Sequence, residues 1–521
     1  MKMPIEHTSA PSAILSLVLL GACASPNQSS PVYQGSNPST AAVSAVHLKT
    51  INRITWGSNL ATWQQVESVG FERYLHQQLH PATATLPPQI SAEIGAMTIS
   101  QQSMPQLVQA LEASRKVADA IADDTQKKAA QQAYQQELNR VAREAATRSL
   151  LRDLYSTNQL QEQMTWFWMN HFNLHQGKHN LRAMVGDYEE HAIRPNALGK
   201  FRDLLRATVH HPAMLRYLDN EQNAGGRINE NYARELMELH TMGVGSGYSQ
   251  RDVQELARIL TGVGVNLGTA TPAVRRELQA QYVRDGLFEY NPSRHDYGDK
   301  FFLGQPVRGR GLAELDEAID RLSRHPATAQ FVSQKIAQFF AADAPPASLV
   351  AQLAQTFQRS DGDIAVVLQT LFKSPEFTRS LDHQFKDPVH YVVSAVRLAY
   401  DDKPILNSGP MLNWLNRMGQ PLYGRQTPDG YALIESAWAS PGQMTTRFEI
   451  AKAIGSGSAG LFKTDGPLPQ ERPAFPQLAN ALYFQSLQKT LGPTTRQALD
   501  QAATPQEWNT FLLASPEMMH R

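Results

Sequence analysis

A single cysteine, Cys23, is present in a chain of 521 residues, and this limits how the fold can be stabilised. No disulfide can form within the chain, even in an oxidising compartment. The fold must therefore be held together by burial of a hydrophobic core. A chain of this length can build such a core as one large domain or as two smaller ones.

The sequence around Cys23 indicates export. Residues 1–22 contain Lys2, an apolar run too short to span a bilayer, and small residues just before the cysteine. The run Leu20-Gly21-Ala22-Cys23 resembles a bacterial lipobox, which implies cleavage before Cys23 and lipidation of its thiol. Ala24, where an aspartate would retain the protein in the inner membrane, implies the outer membrane. The alternative is an ordinary signal peptide with a chance cysteine.

Residues 23–45 are rich in Ser, Pro, Asn and Gly and poor in apolar residues, so we expect a lipidated cysteine followed by a flexible, disordered tether. The body is then residues 46–521. No other stretch approaches the ~20 apolar residues of a transmembrane helix. We therefore expect a lipid-anchored protein of the cell envelope that contacts the membrane through its N-terminus alone.

Charge and periodicity define the class of the body. Lys and Arg together number 48, as do Asp and Glu, so nothing indicates the basic face that a nucleic-acid partner would need. Apolar residues recur at helical spacing, as at Phe71, Leu75 and Leu79, whereas strand signals are weak and confined to 263–267 and 281–283. The sequence predicts a mainly α fold, a large multi-helix globular body with few or no short strands.

Residues 102–160 are a long segment of strong helix formers that resembles an insertion, and they predict a helical hairpin or two long helices. The simplest interpretation is a solvated arm with no active role. Elsewhere, a small polar residue followed by Pro marks helix starts, because its side chain can accept free N–H groups and Pro suits the first turn. This motif occurs at His211, His325, Ser374, Thr504 and Ser515.

The densest group of polar residues lies between residues 161 and 262, and its first part is an aromatic-rich segment with His171 and His175. If one helix contains both, the imidazoles lie one turn apart and could share a metal ion. Two histidines alone are more often hydrogen-bonded core or pocket residues. We therefore predict no cofactor and no metal, with these two residues as ligands if any is bound.

The second part contains Glu190 among Asp187, Glu189 and Arg194. These acids could simply favour the positive end of a helix dipole. Alternatively, they form a carboxylate pocket that faces the histidine pair. Neighbouring acids with separated pKa values can do acid–base work.

The third part is a helix with a polar stripe opposite an apolar face. The stripe contains Asn231, Arg234 and Glu235, with Glu230 and Glu238. It is either solvated surface carrying an i, i+4 ion ladder or the wall of a pocket. His240 falls on the apolar face, where a core position is expected. A separate pair, His295 and Asp296, lies on a Gly- and Pro-flanked loop and forms either a hydrogen-bonded turn or the mouth of a cleft.

Several of these segments resemble the bacterial domain-of-unknown-function 1800 family. The resemblance rests on Asn170-His171-Phe172, on residues 229–239, and on residues 418–422. It extends from residue 51 to residue 517. It implies a large, exported, mainly helical protein, often encoded beside a sulfatase-like exported protein. The family has no assigned activity, so the resemblance supplies no catalytic residues.

Two hypotheses about function follow. In the first, the chain is a non-catalytic scaffold or partner of another exported protein, of the sulfatase-like kind, and its polar residues form a network that fixes helix packing. In the second, it is an envelope hydrolase or lyase acting on a surface polymer. Its site would then combine His171, Glu190, Asn231, Arg234 and Glu235 in one cleft, with His295 and Asp296 at the mouth.

Overall fold

The computed structural model of the chain describes residues 44–463 and 475–521. Helix accounts for 63% of the structure and strand for 4%, which confirms the predicted mainly α body. The α-helices are α1 (Ala45–Ile54), α2 (Leu60–Val69), α3 (Phe71–Leu79), α4 (Pro88–Ala96), α5 (Thr98–Gln101), α6 (Met104–Ala120), α7 (Asp124–Tyr155), α8 (Gln159–His171), α9 (Val185–Asp187), α10 (Phe201–His210), α11 (Pro212–Tyr217), α12 (Asn231–Glu235), α13 (Gln250–Ile259), α14 (Ala313–Arg324), α15 (Pro326–Phe340), α16 (Ala347–Arg359), α17 (Ile364–Phe372), α18 (Pro375–Ser380), α19 (Pro388–Tyr400), α20 (Gly409–Arg417), α21 (Pro441–Gly455), α22 (Gln488–Thr490), α23 (Pro493–Asp500) and α24 (Pro505–Leu513).

Wider and tighter helical turns complete the helical part. π-Helical turns are formed by Tyr188–Ile193, Leu236–Thr241 and Tyr483–Leu487. Short 3₁₀ turns are formed by Leu181–Ala183, Arg194–Asn196, Asn220–Gln222, Arg276–Gln281, Pro292–Arg294, Glu435–Ala437 and Pro516–Met519. π-Turns are uncommon and occur frequently at functional sites. The first two coincide with the polar segments around Glu190 and Arg234.

The predicted helical hairpin is present as α6 and α7, which pack against each other. The expectation of a merely solvated arm is wrong for α7, because its C-terminal half enters the core. Val141, Leu150, Leu151 and Leu154 are all buried there. This half of α7 also brings charged side chains to the candidate site.

The predicted helix starts are confirmed. In each case the small polar side chain accepts a hydrogen bond from a backbone N–H of the first turn, and Pro follows it. These N-caps are His211, His325, Ser374, Thr504 and Ser515. Local capping chemistry therefore fixes where five helices begin.

The strands form two small antiparallel sheets. One has the order β1 (Val263–Val265), β3 (Phe288–Tyr290), β2 (Val283–Asp285), with Val263 and Val283 both opposite Tyr290. The other is a hairpin of β4 (Lys300–Phe302) and β5 (Gln305–Val307). The two weak strand signals in the sequence correspond to β1 and β2. Both sheets carry the loop that contains His295.

The core is continuous through the described body, and α19 is buried along its whole length. Buried arginines tie distant segments to it through backbone carbonyls. The Arg53 guanidinium donates to the carbonyls of Phe340 and Ser380, and Arg521 donates to the carbonyl of Phe339 at 2.8 Å. Arg53 also donates to the carbonyl of Arg521. The first and last helical segments of the body are thereby joined.

The predicted signal peptide, Cys23 and the tether through residue 43 lie outside the described residues. In the part of the chain that the structure does describe, no helix has both the length and the apolar character needed to cross a bilayer.

Candidate functional site

Helix α8 ends at His171, and Phe172 leaves the helical conformation with φ −98° and ψ 50°. His175 therefore lies beyond the helix, and the premise that the two imidazoles share a helical face is wrong. His171 is buried, and its Nε2 lies 3.0 Å from the carbonyl oxygen of His240. His240 is in the core, as its place on the apolar face predicts.

The first π-turn holds Glu189 and Glu190 against arginines from α7 and from the turn that follows. We call this the arginine–carboxylate cluster, and it consists of Arg148, Arg152, Glu162, Glu189, Glu190 and Arg194. Arg194 is its centre, because it forms ion pairs with Glu162, with Glu189 at 2.6 Å and with Glu190 at 3.4 Å. The arrangement joins α7, α8 and the π-turn.

Burial dominates the electrostatics of this cluster. The side chains of Glu162 and Glu189 are 1% and 3% exposed, and that of Arg194 is 8% exposed. Burial raises the pKa of Glu189 and lowers the pKa of Arg194, since both charged forms lose hydration. The Tyr423 hydroxyl donates to Glu189 at 2.6 Å, which partly opposes the shift of its pKa. The predicted site residue Glu190 is thus part of a packed ionic network.

The predicted polar stripe lies along α12 and continues through Glu238 into the second π-turn, which follows that helix. Arg234 donates to Glu230 at 3.1 Å, to Glu238 at 3.4 Å and to Gln250 at 2.9 Å. The predicted i, i+4 ladder is therefore present, with the Arg234 side chain 38% exposed. Asn231 donates from Nδ2 to the carbonyl of Leu218 at 3.1 Å. The stripe is a partly solvated face whose arginine already has acidic partners.

Glu235 interacts electrostatically with a second group of charges, which we call the lysine–histidine site: His171, Glu235, His240, Lys335 and Asp429. Burial raises the pKa of Glu235, and the nearby carboxylates of Glu238 and Asp429 raise it further. Burial lowers the pKa of Lys335 to about 8, and Asp429 partly offsets this. The site therefore contains a carboxylate and an amine whose pKa values have moved towards neutrality.

The histidines of this site are neutral at pH 7. Burial and the Lys335 ammonium lower the pKa of His171, and the same two causes lower that of His240 to about 3. Among the described residues, neither His171 Nδ1 nor His240 Nε2 has a hydrogen-bond partner, although both atoms are buried. The Lys335 ammonium lies 5.4 Å from the ring centroid of Phe331, which also faces His171.

A loop at residues 425–431 covers the end of α8 and carries Asp429. The Asn170 side chain donates to the carbonyl of Tyr431 at 2.9 Å and accepts from its N–H at 2.6 Å. Asn173 donates to the carbonyls of Arg425 and Thr427 at 3.1 and 2.8 Å. Gly430 has φ +75°, and a Cβ there would lie 2.2 Å from the Asn170 carbonyl oxygen. Asn170 of α8 and Asn173 just beyond it thus position the loop that carries Asp429.

His295 lies elsewhere and does not form the mouth of a cleft. Its Nε2 is 3.1 Å from Glu314, which also pairs with Lys300 at 2.7 Å, and all three side chains are 0% exposed. Burial alone would raise the pKa of Glu314, but hydrogen bonds from His295 and Lys300 leave it lowered. Asp296 instead pairs with Arg258 at 2.8 Å, whose hydrogen bonds lower the aspartate pKa to about 2. His295, Glu314 and Lys300 form a buried ionic anchor, and Asp296 beside it forms a partly exposed ion pair.

The structure thus divides the predicted site residues among separate environments. His171 and Glu235 belong to the lysine–histidine site and Arg234 to the partly solvated stripe, whereas Glu190 belongs to the arginine–carboxylate cluster and His295 to the buried anchor. Within residues 44–463 and 475–521, no hydrogen bond or ion pair joins a predicted site residue of one group to one of another. Among the described residues, the contacts therefore do not join the predicted site residues into one network.

No sequence motif marks Lys335 or Asp429 as members of the lysine–histidine site. Asp429 lies in a loop of ordinary turn composition that gives no indication of its neighbours. Lys335 offers a signal, because it is the one charged residue of α15, a helix otherwise made of apolar and uncharged polar residues. Across the described residues, no group of three or more His, Cys, Asp or Glu side chains could hold a metal ion.

Comparisons with known proteins give one match. The family described as "Protein of unknown function (DUF1800)" matches residues 49–520, which is most of the chain, so the chain belongs to this family. No curated protein matches it. No solved structure matches it either.

Proposed function

We propose that this member of the DUF1800 family is a lipid-anchored protein of the bacterial cell envelope that acts as a scaffold or partner of another exported protein. One observation carries the proposal: buried charged residues of the chain form ion pairs with one another. Arg194 joins three carboxylates of two helical segments, and Glu314 joins His295 to Lys300 inside the core. Groups committed to packing in this way fix a rigid body and are not free to bind substrate.

The expected partner is a sulfatase-like exported protein encoded beside this chain, as the family resemblance implies. The experiment is to purify the full chain and that protein separately and to measure their association by size-exclusion chromatography and calorimetry. A stoichiometric complex is the expected result. Absence of any complex, with both proteins folded, would overturn the partner proposal.

A second function, an envelope hydrolase or lyase, is favoured by one observation. Lys335 and Glu235 carry pKa values shifted towards neutrality at a site that also holds two neutral histidines. Such shifts are typical of acid–base residues as well as of structural ion networks. Glu235→Gln separates the two functions, since Gln keeps the shape and removes the ionisable group. A scaffold should bind its partner unchanged, whereas an enzyme should lose turnover of a surface polymer.

The anchor has its own test. Cys23→Ala removes the thiol that lipidation requires, so the chain should move from the membrane fraction to the soluble fraction. Continued retention in membranes would show that lipid at Cys23 is not what holds the protein there.

A further inference from the structure

A groove of about 1020 Å³ lies between the C-terminal half of α7 and helix α20. Its walls are formed by Asn139 and Arg143 from α7, by His175 and Arg182 from the segment after α8, and by Asn413 and Asn416 from α20. A volume of this size is at the upper end of ligand-binding pockets. The groove is separate from the lysine–histidine site, whose residues do not line it.

The charged side chains that line the groove are all positive. Arg143, Arg182 and Arg417 line it, and no Asp or Glu does. In the described part of the chain, Arg143 has no hydrogen-bond or ion-pair partner, and Arg182 donates only to the amide oxygens of Asn139 and Gln135, each at 2.6 Å. Arg417 has a carboxylate partner, Glu449, in a pair that is half exposed on both sides. Two guanidinium groups therefore face the groove without a counter-ion, on a chain whose formal net charge is zero.

The backbone of the groove makes room for these side chains. A Cβ at Gly409, the first residue of α20, would lie 2.7 Å from the Arg143 guanidinium, and a Cβ at Gly177 would lie 2.5 Å from His175 Nε2. Ser408, which precedes α20, bonds to the Thr147 hydroxyl at 2.7 Å and does not cap the helix. The Gly409 N–H donates to Asn407 Oδ1 at 2.9 Å, and the positive end of α20, where Gly409 and Pro410 line the groove, adds to the field of the arginines.

Uncharged donors and acceptors complete the lining. Within the described residues, the side chains of Asn413 and Asn416 are exposed and form no hydrogen bond with the protein. Amide groups both donate to and accept from hydroxyls, whereas the planar guanidinium matches a carboxylate, sulfate or phosphate through two parallel hydrogen bonds. The combination suits a molecule that is rich in hydroxyls and carries negative charges.

We propose that this groove binds an anionic oligosaccharide segment of a surface polymer, with Arg143 and Arg182 holding its acidic groups and the α20 asparagines holding its hydroxyls. The site goes beyond the scaffold function and does not depend on it. A protein that binds both a partner and a polymer would hold the partner at that polymer.

The test measures binding of the purified full chain to short polygalacturonate fragments, with the methyl-esterified fragments as an uncharged match. We expect the ester to bind at least about tenfold more weakly, because charge-assisted hydrogen bonds are roughly twice as strong as neutral ones. Arg143→Ala should weaken polygalacturonate binding by about tenfold, while Ala preserves the helix. Asn413→Asp, which adds a negative charge at an exposed position, should also weaken it.

Arg359→Ala is the matched control, since Arg359 is an exposed arginine on another helix, α16. The affinity of this variant for polygalacturonate should stay within about twofold of that of the wild type. Equal losses for Arg143→Ala and Arg359→Ala would reduce the effect to non-specific attraction and overturn the proposal. Equal binding of the charged and esterified fragments would also overturn it. Competition by inorganic phosphate at the same molar concentration as the fragments would show a site for small anions instead.

Discussion

Replacing Arg194 by Leu tests whether the arginine–carboxylate cluster is a structural element. Arg194 pairs with Glu162, Glu189 and Glu190; without it, Glu190 keeps Arg152 and Glu189 keeps the Tyr423 hydroxyl, whereas Glu162 has no other partner among the described residues. The variant leaves the Glu162 carboxylate 1% exposed and without a counter-ion, so it should take up a proton when the chain folds.

The expected loss in the free energy of unfolding follows from the free energy needed to protonate the Glu162 carboxylate. Protonating a carboxyl group with an ordinary pKa of about 4.3 costs about 1.4 kcal/mol for each pH unit above that value, or about 4 kcal/mol at pH 7 and about 1 kcal/mol at pH 5. Breaking a buried ion pair by removing one partner costs about 3–5 kcal/mol in other proteins, which agrees. The folded variant binds a proton that its unfolded chain does not, so its stability falls as the pH rises.

The assay is thermal unfolding followed by circular dichroism at pH 7 and pH 5. A body of about 470 residues has an unfolding entropy near 1 kcal/mol/K, so we expect a Tm lower by about 4 °C at pH 7 and by about 1 °C at pH 5, relative to the wild type at the same pH. Arg379→Leu is the control, because the Arg379 side chain is 68% exposed in its ion pair with Glu376. The free energy of unfolding of this variant should differ from that of the wild type by less than about 1 kcal/mol. A loss for Arg194→Leu that is equal at both pH values would refute the reasoning, since Glu162 would then remain ionised and hydrated.

Three further perturbations test the other parts of the structure. Glu314→Gln leaves Lys300 buried without its counter-ion and should lower the free energy of unfolding by about 3–5 kcal/mol in a denaturant titration, whereas a change below about 1 kcal/mol would contradict the buried anchor. Gly430→Ala places a Cβ against the Asn170 carbonyl and should detach the loop, so limited proteolysis should cut within 425–431 while the helical circular dichroism is retained; a resistant loop would contradict the tight contact. His240 is neutral with a pKa of about 3, so it contributes stability that is present above pH 6.5 and is lost as the pH falls towards 3. His240→Phe should therefore show a smaller loss of Tm between pH 7 and pH 4 than the wild type, and an unchanged slope would exclude this histidine as a cause.

Much of the helical architecture could be predicted because its determinants are local. The N-caps at His211 and Thr504 act within one turn, and the composition of residues 102–160 is sufficient to form a helical hairpin. The core position of His240 follows from its place on the apolar face of one short helical segment. None of these features needs a contact with a distant part of the chain.

The site was less predictable because long-range contacts determine it. His175 leaves the helix where Asn173 begins to bind the 425–427 carbonyls, which no local pattern indicates. His295 and Asp296 are neighbours in a polar loop, yet their environments differ. His295 is buried and contacts Glu314, whereas Asp296 is partly exposed and pairs with Arg258. A polar loop that encloses an ion pair and one that opens onto solvent have the same composition.

The π-turn at Tyr188–Ile193 explains how two consecutive carboxylates inside the body share one arginine. Consecutive residues of an α-helix point about 100° apart, so one arginine seldom reaches both. In the π-turn at Tyr188–Ile193, Glu189 and Glu190 both reach Arg194, at 2.6 and 3.4 Å. The wider turn therefore concentrates carboxylates on one side, and arginines from α7 neutralise them. Because α7 also presents Arg143 to the groove, the helix that neutralises the interior is the one that leaves an unpaired positive charge outside. This division of charge favours recognition of an external anion over catalysis by the buried residues.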